Sequence, residues 1–234
     1  MKKTIGILGG MGPLATADLF RKITMLTKAE CDNGHIRVFI DSNTAIPDRT
    51  AAILGMGKSP LEEMASALRH LEACGADCII MPCNTAHYFL PQLQEMTHIP
   101  FLNMLEITAE CCAGRYPGKC AAILATDGTL ETGLYDKALR SEAVPYIHPE
   151  PDEQKTVMHL IYDVVKASKP MLPERDRWKT LLDSLRDRGA DYFILGCTEL
   201  PVLSSALQCH GPFVDPTEEL AKAAIRFCGY EIQE

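Results

Sequence analysis

Two cysteines carry the strongest chemical signal in this chain. Cys83 lies in "CIIMPCNTAH" and Cys197 in "YFILGCTELP", each at the tip of an apolar run of strand length, followed by small hydrogen-bonding residues and a helix-like segment. Both runs are preceded by Gly-Ala-Asp, starting at Gly75 and Gly189, and both cysteines fall eight residues after that glycine (83 − 75 = 197 − 189 = 8). The two copies are therefore offset by 114 positions (197 − 83 = 114). A thiol, with an unperturbed pKa of about 8.5, can be tuned to act as acid or base near neutrality. A thiolate on one face of a carbon and a thiol on the other suffice to take a proton from one side and return it on the opposite side, inverting a stereocentre. Two thiolates at close range would repel, so such a pair titrates as a coupled unit.

The elements that must position these sulfurs repeat as well. Met64, Leu68 and Leu71 form one stripe of a helix before the first copy, and Trp178, Leu182 and Leu185 form the same stripe before the second. "KTIGILGGMG" from Lys3 resembles "KCAAILATDG" from Lys119, and "IPFLNM" is echoed by "GPFVDP". The runs "TIGIL", "IRVFI", "CIIM", "AAILA" and "YFILG" show little alternation, as expected of parallel strands covered on both faces. The expected fold is α/β, in two similar halves, each with a mainly parallel sheet flanked by helices. In such sheets ligands bind at the carboxyl ends of the strands, so a cleft between the halves would present one sulfur from each. Asn84 or Thr85 is expected to cap a helix after Cys83, and Thr198 one after Cys197. Free amides and the positive end of a helix dipole lower a thiol pKa and attract a carboxylate. The plainer reading, two packing cysteines, does not explain a register repeated with polar followers in both copies.

Composition narrows the partners. The chain has 234 residues, 47% hydrophobic and 23% charged, with a formal net charge of −8, which leaves no basic footprint for nucleic acid or an anionic membrane. No apolar stretch reaches the roughly 18 residues of a membrane span. The opening "MKKTIGILGGMGPLATA" mimics a secretory signal, but "GGMGP" breaks its apolar region with turn residues. The ten cysteines show no paired zinc spacing and no compact disulfide framework, so a reduced cytoplasmic protein with a small-molecule partner is expected.

"GILGGMGPLAT", "IPDRT", "MPCNTAH", "LATDGT" and "GCTE", in that order along essentially the whole chain, resemble the cofactor-independent aspartate/glutamate racemase superfamily, most closely its aspartate racemases. The resemblance implies two pseudo-symmetric α/β domains enclosing a cleft, no pyridoxal phosphate or metal, and a homodimer. It implies that Cys83 and Cys197 are the two acid/base residues and that Arg49 and Lys166 hold the side-chain carboxylate of a dicarboxylic amino acid. It also implies that the C-terminal segment returns to the first domain, giving residues 1–102 plus 212–234 and residues 103–211. Asn84, Thr85, Thr126 and Thr198 are placed to donate hydrogen bonds to the α-carboxylate or amino group, with helix capping as their simpler role, and Met11 contributes turn backbone near the substrate. The local sequence of Lys166 reads as an ordinary helix face.

Other readings compete. Gly10, Gly12 and Ala15 of "GGMGPLA" fit a dinucleotide-binding turn with Asp41 as the ribose acid, which would make an NAD-dependent oxidoreductase. That reading leaves the matched cysteines unexplained. A two-lobed protein that binds an amino acid without turning it over is a third possibility. Zinc would need more than the pairs Cys83 with His87 and Cys209 with His210, so no metal site is expected and His87 is assigned to orienting or packing. No lysine stands in a phosphate-binding setting suited to pyridoxal chemistry.

Overall fold

The apolar runs become parallel strands because a helix after each returns the chain to the same edge. β1 (Ile5–Gly9), β2 (Val38–Ser42) and β3 (Cys78–Ile80) form a sheet in the order β2-β1-β3, with Ile7 opposite both Ile40 and Ile80. β4 (Ala121–Leu124), β5 (Tyr146–Ile147), β6 (Tyr192–Leu195) and β7 (Phe213–Val214) form a second in the order β5-β4-β6-β7, with Leu124 opposite Leu195. The fold is α/β with two parallel sheets flanked by helices. The computed structural model describes residues 2–233, and the chain divides into two compact units, Met1–Ile107 with Thr217–Glu234, and Thr108–Pro216. Among the described residues no helix is long and apolar enough to cross a membrane.

The sequence repeat is a structural repeat. The helices Leu61–Ala73 and Arg175–Asp187 have both ends offset by 114 positions (175 − 61 = 187 − 73 = 114) and bury the same stripe, Met64, Leu68 and Leu71 in one and Trp178, Leu182 and Leu185 in the other. Each ends in a left-handed glycine, Gly75 at φ +82° and Gly189 at φ +100°. The amide of Ala76 then reaches back to the Leu71 carbonyl, and that of Ala190 to Leu185, closing the same C-terminal motif. The aspartate of Gly-Ala-Asp pins the neighbouring strand: Asp77 Oδ2 accepts the amide of Thr4 at 2.7 Å, and Asp191 Oδ2 accepts that of Cys120 at 2.8 Å. The two phenylalanines of the "PF" echo also correspond, since Phe101 bridges to Ile79 as Phe213 pairs with Phe193.

In the first unit the sheet is covered on both faces. Leu8, Ile79 and Met81 pack with Met64, Leu68 and Leu71 on one side. Ile5, Ile7, Cys78 and Ile80 pack on the other with Leu19 and Ile23 of the helix Pro13–Leu26 and with Leu220, Ala224 and Ile225 of the helix Pro216–Phe227. "IRVFI" differs from expectation. Its strand starts two residues later, at Val38, and β2 is a sheet edge, which leaves Ile40 exposed.

Candidate active site

In the first unit the register of β1 against β3 brings the turn after β1 beside the turn that carries Cys83. The chain leaves β3 through Pro82, the Cys83 amide donates to the Met81 carbonyl at 2.9 Å, and a short 3₁₀ helix, Thr85–Phe89, follows. Cys83 is 7% exposed and packs in one cluster with Met11, Ile46 and Ala86. His87 locks this turn from behind. Its Nδ1 lies 2.9 Å from the Cys83 carbonyl oxygen, and its Nε2 is 3.1 Å from the amide nitrogen of Met104. An amide can only donate, so Nε2 is the unprotonated nitrogen and Nδ1–H donates to Cys83. Burial of this ring pulls its pKa down to about 4, against the hydrogen bonds to Cys83 and Asn84, which raise it. Arg49, also buried, donates from Nη2 to the Met11 carbonyl at 3.0 Å and from Nη1 to the Pro47 carbonyl at 3.0 Å. Met11, Arg49, Asn84 and Thr85 are all buried in the first unit, and Met11 shares the cluster of Cys83.

In the second unit the same logic places Thr126 and Cys197 at one sheet edge, two residues beyond the paired Leu124 and Leu195. Gly196 fits tightly there. A Cβ on it would sit 3.0 Å from the Tyr135 ring and 3.2 Å from Ala125. Cys197 is 7% exposed, and its thiol donates to Glu199 Oε2 at 2.9 Å, an oxygen that also accepts the Thr198 hydroxyl at 3.2 Å. Lys166 lies on a π-helix, His159–Lys166, with its ammonium 4.2 Å from the centre of the Tyr162 ring and close enough to Cys197 to act on it electrostatically. π-helical turns are rare and concentrate at functional sites. The run expected as an ordinary helix face is thus irregular at the residue of interest.

Several local expectations are corrected. Neither Asn84 nor Thr198 makes a side-chain cap bond, because both have α-helical backbone angles rather than the extended ones from which a side chain reaches back. Thr126, which is extended, does cap: its side chain accepts the Thr129 amide at 3.4 Å. The Cys197 thiol is pushed well above its usual pKa, not below it, by burial first and then by the charge of Glu199, with Lys166 opposing. A helix N-terminus does not outweigh a carboxylate in contact. Sequence reasoning left Glu199 unassigned although it lies inside "GCTE"; the signal available was the repeat itself, which aligns Glu199 with Thr85 (199 − 85 = 114).

The residues proposed for other chemistries have structural partners. Asp41 Oδ2 lies 2.7 Å from His70 Nδ1, and a Cβ on Gly10 would meet the Asn43 backbone at 2.3 Å, so this glycine serves close packing of the turn against the chain after β2. Both ring nitrogens of His87 are engaged, which removes it as a metal ligand beside Cys83. Among the described residues no group of three or more His, Cys, Asp or Glu side chains is arranged to hold a metal ion.

Two parallel-sheet units, each delivering a cysteine at the equivalent strand end, define a class of internally duplicated α/β protein. The chain belongs to the Asp/Glu/hydantoin racemase family, whose model matches residues 8–224. It is similar to the solved structure of an aspartate racemase from Picrophilus torridus, with 32% identity and a TM-score of 0.85 over 99% of this chain and 96% of that one. It is 27% identical over 227 residues to the broad specificity amino-acid racemase RacX of Bacillus subtilis (strain 168), covering 94% of this chain and 96% of RacX. A 146-residue stretch is 30% identical to the glutamate racemase of Deinococcus radiodurans, covering 62% of this chain and 49% of that protein.

Proposed function

We propose that the protein is an amino-acid racemase that inverts aspartate, with glutamate or a wider set of amino acids as further substrates, and that Cys83 and Cys197 act as opposed acid and base without pyridoxal phosphate or metal. The observation that carries this reading is the equivalence of the two cysteines: the same register after β3 and after β6, each nearly but not fully buried. Likeness to the Picrophilus torridus aspartate racemase favours aspartate, and likeness to RacX favours breadth.

The chemistry assigns each group a part. One sulfur takes the α-hydrogen as a proton, leaving its electron pair on a planar carbanion, and the other sulfur delivers a proton to the opposite face. Arg49 and Lys166 hold the side-chain carboxylate. Asn84, Thr85, Thr126 and Thr198 hydrogen-bond the α-carboxylate or amino group, and Met11 supplies backbone at the rim. The working form is taken to be a cytoplasmic homodimer, on the family resemblance.

Reduced, chelator-treated protein incubated with L-aspartate in heavy water should accumulate D-aspartate that carries α-deuterium. Cys83→Ala and Cys197→Ala should each lower inversion by about 10²–10⁴-fold, the usual contribution of a positioned acid or base. Full inversion by either variant contradicts the two-thiol assignment. Tight aspartate binding without exchange of the α-hydrogen in any of the three proteins would mark a binding protein instead.

A further inference from the structure

The repeat fails at one chemically important place. Cys83-Asn84-Thr85 aligns with Cys197-Thr198-Glu199, so a hydroxyl in the first copy stands where the second has a carboxylate. That carboxylate is only 8% exposed, and its Oε2 gathers both the Cys197 thiol and the Thr198 hydroxyl. Among the described residues the ionisable groups that act most on Cys197 are Glu199 and Lys166, with the buried Tyr135 phenol behind. Lys166 is exposed and lies over the Tyr162 ring, so solvent screens its charge, whereas Glu199 touches the sulfur directly in a dry setting. A carboxylate at that distance favours the protonated sulfur.

We propose that Glu199 is a positioning residue that makes the two thiols unequal at rest, holding Cys197 as the acid, so that the resting site deprotonates the enantiomer whose α-hydrogen faces Cys83. The inference rests on the two-thiol reading above and deepens it. The Cys83 thiolate takes the α-hydrogen as a proton, the carbanion takes the thiol proton of Cys197, and the Cys197 sulfur keeps the S–H electron pair as a thiolate. The pair still holds one proton, now on Cys83, and the charge of Glu199 favours its return to Cys197 through solvent before the next turnover. Two enantiomers have equal free energy, so kcat/KM is the same in both directions, and the inequality appears in kcat and KM taken separately.

Glu199→Gln keeps the size of the side chain and an oxygen to accept the thiol but removes the charge. Alkylation of each cysteine by iodoacetamide, followed across pH by peptide mass spectrometry, reads the thiolate fraction at each sulfur. In Glu199→Gln the Cys197 profile should move to lower pH by about one unit or more, roughly tenfold faster alkylation near neutrality, while the Cys83 profile holds. Glu199→Asp should keep most of the wild-type profile. Thr85→Glu provides an independent arm, since it should move the Cys83 profile to higher pH. An unmoved Cys197 profile in Glu199→Gln, or equal shifts at both cysteines, overturns the proposal. Racemisation measured on the same samples separates the two claims: a wild-type protein that inverts no acidic amino acid removes the racemase reading, whereas normal inversion with an unmoved profile removes only the role of Glu199.

Discussion

His87 shows how much of the site depends on one neutral ring. It ties the Cys83 turn to the amide of Met104 through both nitrogens, and either added proton or lost ring breaks that bridge. Its folded-state pKa of about 4 lies below the usual 6.5, so between these values the unfolded chain binds a proton that the folded chain refuses. Stability therefore falls as pH drops from about 6.5 towards 4, by up to ~3 kcal/mol from this group. Urea unfolding at several pH values should show this slope in the wild type and lose it in His87→Gln; an unchanged slope contradicts the assignment. Arg49 presents a different case, since its guanidinium fork already serves the carbonyls of Met11 and Pro47. Arg49→Lys keeps the charge and loses the fork, so the aspartate KM should rise about tenfold or more. An unaltered KM in steady-state kinetics would leave Arg49 only the structural task of tying the Met11 and Pro47 carbonyls.

At the scale of elements, the Gly-Ala-Asp junction explains why the repeat was legible. Its glycine closes a helix, its alanine packs, and its aspartate pins the neighbouring strand, so all three residue types are demanded by geometry in both copies. Nothing stands within 4 Å of a Cβ built on Gly75 or Gly189, so Gly75→Ala or Gly189→Ala should cost only the left-handed backbone, about 1–2 kcal/mol. The converse holds at Ala143, where a non-glycine residue at φ +54° ends a helix with the same pair of bonds: Ala143→Gly should stabilise by up to about 1 kcal/mol in thermal or chemical unfolding. A loss of stability there contradicts the reading. The long strands and their helices were visible as apolar runs and stripes. β5 and β7 were not, because two-residue strands are defined by their neighbours rather than by any pattern of their own. Nor was the π-helix at Lys166, since its apolar spacing matches that of an ordinary helix and only the backbone bonding differs. At the cysteines the positions were legible and the electrostatics were not, because a carboxylate two residues on reads as a helix first-turn residue until its side chain is seen at the sulfur.

At the scale of the whole molecule, the two units are unequal in how the chain closes them. The first unit depends on the last helix, Pro216–Phe227, to cover Ile5, Ile7, Cys78 and Ile80. A chain ending at Pro216 should therefore expose that sheet face, bind a hydrophobic dye and aggregate, and a soluble truncated protein with native-like circular dichroism would contradict the packing. The deepest claim concerns the two sulfurs acting on one carbon. In that proposal each sulfur can hold only one proton at a time, which would give the reaction a label pattern that a single polyprotic base does not produce. The decisive measurement is the isotopic content of both enantiomers at low conversion of L-aspartate in heavy water. The two-thiol mechanism predicts D-aspartate carrying α-deuterium beside recovered L-aspartate that is still almost wholly protonated. Product that retains the original α-hydrogen, or L-aspartate that gains deuterium faster than D-aspartate forms, would contradict it.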